Sequence, residues 1–135
     1  MRFPAGRDDL CDPMLHNRHP PAGSGYLARS STVTAARWCV RDFGAHGQVV
    51  QLRQATGSLT ALDRALHAPR PAPLPTNVAC AGVGYAIFTV EVLDQHGRRI
   101  RPTLPSGQCA GPSGTRDALA RTAYTVIDTH PALPE

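Results

Sequence analysis

Lysine is absent from this chain: all 14 basic residues are arginine, against 10 acidic ones, for a net charge of +4 over 135 residues. A GC-rich genome, whose codons favour Arg, Ala, Gly and Pro, accounts for this bias without a functional cause. Apart from Arg98, Arg99 and Arg101 the arginines are scattered, not gathered into a stripe or arm. That pattern speaks against a nucleic-acid partner. Glutamate is almost missing too, with only Glu91 and Glu135. Paired-carboxylate catalysis would fall to Asp42, Asp63, Asp94, Asp117 or Asp128. Asp63 and Asp117 suit the first turns of helices, where negative charge meets the dipole, and Asp94 suits a turn.

Other absences narrow the chemistry. No apolar run approaches the roughly 18 residues of a membrane span. Residues 1–31 hold no apolar stretch of roughly 7 to 15 residues, so no secretory leader is visible, and an exported protein would have had its leader removed or would carry it further upstream. No C-x-x-C occurs, which removes zinc knuckles and thioredoxin-type motifs. There is no G-x-S-x-G elbow. "GVGYAI" lacks the third glycine and the strand-to-helix context of a dinucleotide loop. Cys11, His16 and His19 sit in a Pro-flanked segment with no fourth metal ligand in view. No cofactor or metal is expected. With aromatics at 5%, the core must be built mainly from Ala, Val and Leu.

What is present is an even set of four widely spaced cysteines, Cys11, Cys39, Cys80 and Cys109, in a Pro-rich chain of single-domain length. This leans toward disulfides and an oxidising compartment. Residues 1–31 show neither helical nor strand periodicity and read as a disordered tail or linker. The domain spans 32–128, with 129–135 a frayed end. "TVTAARWCVRDF" alternates, putting Trp38 and Val40 inward, Arg37 and Arg41 outward, and Cys39 on the arginine side, facing solvent or another layer. "GAHG" is a turn and "QVVQLRQ" a second strand. "LTALDRALHAP" carries Leu59, Leu62 and Leu66 at helical spacing behind a Thr60/Asp63 capping box, with Ser58 an alternative cap. "APRPAPLPT" has proline at every second position and reads as an extended, rigid connector.

"YAIFTVEVLDQHGRRIRPTL" is a hairpin. A three-residue loop, Gln95-His96-Gly97, sets Val92 opposite Ile100, Val90 opposite Pro102 and Phe88 opposite Leu104. It also places Glu91 opposite Arg101 on the solvent side. Such loops end in a left-handed residue, and Gly97 stands there. Pro102 marks the return strand as an edge. The hairpin brings Cys80 and Cys109 near one another as candidate disulfide partners. The rival pairs Cys39 with either of them and leaves Cys11 as the odd one out. "SGTRDALARTAYTVID" reads as a capped helix over 113–128. The expected fold is α+β, in the order β-β-α-β-β-α, a mostly antiparallel sheet with helices on one face.

The motifs "RWCV", "LTALDRALHAP", "NVAC", "DQHGRRI" and "SGQC", across about residues 33 to 127, resemble a diffuse group of uncharacterised small exported or lipid-anchored domains of high-GC Gram-positive bacteria. The resemblance implies an extracytoplasmic α+β domain and no assigned activity. In size and composition the chain is also similar to the subtilisin-inhibitor-like proteins. It lacks their Gly-Gly and His-Pro run after the first core cysteine, where "VRDFGAHG" follows Cys39. The expected function is therefore non-catalytic binding or structural work in the envelope or outside the cell, with another protein as a possible partner. Protease inhibition, through a rigid segment such as "PRPAPLPTNVAC", is a narrower alternative. A cysteine-dependent hydrolase is a further one, but no local feature pairs Cys39 with His46 or His96 as catalysis requires.

Overall fold

The structure is a computed structural model that describes residues 2–3, 9–16, 23, 25–44, 47–69, 88–106 and 112–131. The alternating stretch forms β1 (Ala35–Gly44), which turns back into β2 (Gly47–Ala55). α2 (Thr60–Leu66) follows α1 (Asp12–Leu15) in chain order, then β3 (Phe88–Leu93), β4 (Arg99–Ile100), α3 (Ser113–Ala120) and β5 (Tyr124–Pro131). The five strands make one sheet in the order β4-β3-β1-β2-β5, with every neighbouring pair antiparallel. The α+β class and antiparallel sheet expected from the sequence are present. α1 and β5 are additions to the expected order.

One face of the sheet carries Ala36, Trp38, Val90 and Val92 under α2 and α3, whose Leu62, Leu66, Ala118 and Leu119 complete a core with Leu27 and Val33. The α2 start differs from the expected capping box. Ser58 Oγ accepts the Thr60 N–H at 3.3 Å. Asp63 turns away to accept the Val33 N–H at 2.9 Å, tying the segment before β1 to the helix.

The hairpin register matches the expectation, with Val92 opposite Ile100 and Leu93 opposite Arg99. Gly97 takes the left-handed conformation, φ 76°. Asp94, wholly buried, receives the N–H groups of His96 and Arg98 at 2.8 and 2.9 Å and the Arg98 Nε at 2.7 Å. Its short carboxylate thus organises the loop from inside. The return strand lies at the sheet edge and pairs over only two residues. Pro102, which has no N–H for a ladder, follows two residues later. Gly23 packs so closely here that a Cβ would meet the Thr103 nitrogen at 2.6 Å.

The N-terminal segment departs from expectation and packs against both sheet faces. Residues 9–16 and 25–31 are not a loose tail: Leu10, Cys11, Met14, Leu27 and Ser31 are buried. Cys11 is not the odd cysteine, because it forms a disulfide with Cys39, which excludes the rival pairings of Cys39 with Cys80 or Cys109. The bond lays α1 over Cys39, Val50 and Leu52 as a second small core. Cross-linking residues 28 apart contributes about 3–4 kcal/mol on a chain-entropy account. Cys80 and Cys109 lie outside the described residues.

Arg37, expected outside, is buried with Glu91, its cross-strand partner. Glu91 Oε1 accepts from Arg37 Nη2 at 3.0 Å and Arg99 Nη2 at 2.9 Å, and Oε2 accepts Arg101 Nε at 2.8 Å. Arg101 also bonds Asp9, and Arg37 stacks 4.2 Å over the Phe3 ring. The expected Glu91–Arg101 pairing therefore exists, but on a covered face.

The C-terminal segment is corrected as well. α3 ends at Ala120, Thr122 Oγ1 donates to Ala118 O at 2.7 Å, and the chain then runs as β5 along β2. Tyr124, Thr125, Val126, Ile127 and Thr129 are strand-favouring types, and β2 offers them a free edge. Residues 129–131, expected to fray, are part of this strand.

Burial opposes ionisation of Glu91, but the bonds from Arg101, Arg37 and Arg99 outweigh it and hold its carboxyl below the usual value of 4.5. Its stabilising effect is therefore present above the unfolded-state pKa and fades as pH falls through the lower folded value. Glu91→Gln should cost about 3–5 kcal/mol at pH 7, since it leaves guanidinium charge unpaired. Urea unfolding at pH 7 and pH 3 checks this, and the deficit should shrink at pH 3.

Candidate functional site

The α2 and α3 layer covers only part of its sheet face. Beyond its end lies a cleft of about 540 Å³, inside the range of small-molecule sites. Trp38 and Val40 of β1 and Phe88 of β3 line it, with Leu119 and Ala120 of α3 on one side and Tyr124 of β5 on another. Trp38 stands opposite Val90 and Val40 opposite Phe88 in the β1–β3 ladder, so these side chains share a face by register.

The polar part is built by cross-strand pairing. Arg53 of β2 lies opposite Trp38. Its Nη2 donates to Asp42 Oδ2 at 2.7 Å, and its Nε and Nη2 reach Gln51 Oε1 at 3.0 and 2.9 Å. The same guanidinium lies 4.4 Å from the Tyr124 ring centroid, a cation–π contact. Tyr124 in turn meets Trp38 edge to face, with centroids 5.8 Å apart at 73°. Ring, cation and carboxylate thus fix one another. Arg41 also lines the cleft and donates from Nη2 to Met14 O at 3.0 Å. Arg116, in the first half of α3, is exposed at the rim.

The described lining contains no histidine, cysteine, serine or threonine. Its one carboxylate, Asp42, is ion-paired with Arg53. Such a lining can desolvate an apolar body and meet charge at the rim. A broader depression, lined by Tyr26, Thr60, Arg64 and His67 among others, lies on the far side of α2. Two of its titratable groups hold backbone: Asp63 carries Val33, and His67 bridges Asp63 O and Ala28 O. Among the described residues no group of three or more His, Cys, Asp or Glu side chains converges as a metal site.

Of the cysteines proposed from sequence, Cys39 is fully buried and bonded to Cys11. Cys80, Cys109 and the segment "PRPAPLPTNVAC", from residue 70 on, lie outside the described residues. Sequence reading reached Trp38 and Val40 as inward residues and set Phe88 opposite Leu104 in the hairpin, but did not join them to Arg53, Arg116 or Tyr124. The signal for Tyr124 was the β-branched run after it, which marks a strand.

No protein-family model matches the chain, and neither a curated protein nor a solved structure is significantly similar to it.

His67 supplies a test of how the covering layer is held. Nδ1 lies 2.7 Å from Asp63 O and Nε2 lies 3.0 Å from Ala28 O. A carbonyl only accepts, so both bonds require the doubly protonated ring. Burial opposes that charge, but the Asp63 and Ala28 carbonyls, with the Asp63 carboxylate, outweigh it and raise the pKa above 6.5. A raised folded pKa gives stability that is complete below the unfolded value and is lost as pH rises through the folded one. The melting temperature of His67→Gln should therefore fall further below wild type at pH 5.5 than at pH 8.5, by calorimetry at both values.

Proposed function

We propose that the chain is a non-catalytic binding domain working outside the cytoplasm, and that the aromatic cleft is where it binds. The observation that carries this reading is the cleft itself. Its floor is fixed by the β1–β3 ladder and its Tyr124 wall is held by Trp38 and Arg53. A site rigid before its ligand arrives loses little ordering entropy on binding. Among the described lining the acid–base types are Asp42, ion-paired with Arg53, and Tyr124, whose ring meets Trp38 and Arg53, with no nucleophile beside either.

Sulfur chemistry supports the compartment. A disulfide that closes the second core face serves a protein kept in oxidising surroundings, because cytosolic thiol pools reduce such bonds. No described helix is long and apolar enough to cross a membrane. With Cys39 committed to Cys11, the one intrachain partner left for Cys80 is Cys109, the pairing the hairpin suggested.

Alkylation of native protein followed by mass spectrometry should find no modified cysteine and a Cys11–Cys39 cross-linked peptide. Reduction should lower the melting temperature by on the order of 10 °C, since about 3–4 kcal/mol is removed. A fully alkylatable native chain that melts cooperatively at the same temperature would defeat the extracytoplasmic part. The binding part is tested by the indole resonance of the chain's single tryptophan. A small-molecule fragment set that leaves that resonance unmoved while the protein stays folded would remove the cleft as a binding site.

A further inference from the structure

We propose that the ligand of this cleft is a small organic anion, an apolar body bearing one carboxylate, with Arg116 receiving the charge; this rests on reading the cleft as the binding site. The apolar body follows from the floor. Trp38, Phe88 and Leu119 offer no hydrogen-bonding group to a polar ligand except the indole N–H, and Trp38 is itself almost wholly buried.

The charge follows from the count at the rim. Arg41, Arg53 and Arg116 line the cleft with one carboxylate, Asp42, and of these the Arg41 guanidinium is turned to the strap on the opposite sheet face. Arg53 is satisfied by Asp42 and Gln51, and Arg41 donates to the Met14 carbonyl. Arg116 makes no ion pair or side-chain hydrogen bond among the described residues. Its planar fork suits a carboxylate with two parallel bonds. It projects from a helix whose next turn supplies Leu119 and Ala120 to the cleft, so one element presents both the cation and the apolar wall. A cationic ligand would meet net repulsion there.

The test compares 2-naphthoate with its uncharged isostere 2-naphthamide on the intact, oxidised protein. Titration calorimetry gives affinity, and the Trp38 indole N–H resonance reports occupancy of the cleft. The naphthoate should bind one to one and shift that resonance, with the amide about five- to tenfold weaker, the value of a charged hydrogen bond at a part-exposed site. Arg116→Gln should bring naphthoate down to the level of the amide and leave the amide unchanged. Ala120→Trp, at an exposed lining position, should block both. Far-UV circular dichroism confirms that each variant is folded. If acid and amide bind equally, or Arg116→Gln leaves their ratio intact, the anion proposal is overturned while the cleft remains a binding site. If neither compound moves the Trp38 resonance, the anion proposal is overturned with the cleft reading beneath it.

Discussion

A single carboxylate organises the side of the sheet that faces away from the two longer helices. Glu91 projects from β3 between β1 and β4, and arginines converge on it from both neighbours. Register alone arranges this: Arg37 is its cross-strand partner on β1, and Arg99 and Arg101 stand two apart on the return strand. A buried carboxylate without such donors would shed its charge, and buried guanidinium groups without it would have to reach water. Arg101 carries the cluster outward to Asp9, beside the segment that Cys11 bonds to Cys39. The N-terminal strap is therefore closed twice, once by charge and once by covalent bond. α1 has four residues, too few to persist alone. Its shape is borrowed from the face it covers.

The cleft is a consequence of unequal lengths. β1 has ten residues and spans roughly 33 Å at strand rise. α2 and α3 have seven and eight and span roughly 10–12 Å at helix rise. Helices this short cannot cover strands this long. The covered end holds Ala36, Val92 and Leu62, and the uncovered end leaves Val40 and Phe88 under the open cleft. Because the opposite face is filled by the strap, the sheet beneath the cleft is backed on both sides near Trp38 and Cys39, which gives the site a fixed floor.

Local and periodic features were legible. The alternation around Trp38 has period two, Leu59, Leu62 and Leu66 keep helical spacing, and Gly97 ends a three-residue loop. Each needs only near neighbours. Long-range pairings were hidden. "DLCDPML" has no period because its order comes from a bond to Cys39, 28 residues away. The boundary after Ala120 was obscured because Thr122, Ala123 and Val126 also fit a helical stripe. The free edge of β2, which no local pattern displays, decided for strand. Arg37 was placed outside because alternation reports which residues share a face, not whether that face is covered.

The arginine bias explains why the cleft was the least legible part. Where every cation is arginine, an arginine in the sequence does not say whether it is solvated, paired or waiting for a ligand. Arg116 and Arg37 look alike until the fold separates them. The scarce partner is more informative than the abundant one. Glu91 is the one glutamate among the described residues. Placed in a strand whose hairpin partner carries three nearby arginines, it marked a convergence of charge. What alternation could not add was the strap above it, which turns an ordinary cross-strand ion pair into a buried cluster. Lysine could not substitute at these positions without loss. Arg37 and Arg99 each set both Nε and Nη2 on one oxygen of Glu91, and a single ammonium lacks that fork. A codon bias that needs no functional cause has thus furnished the side chain that this buried geometry requires.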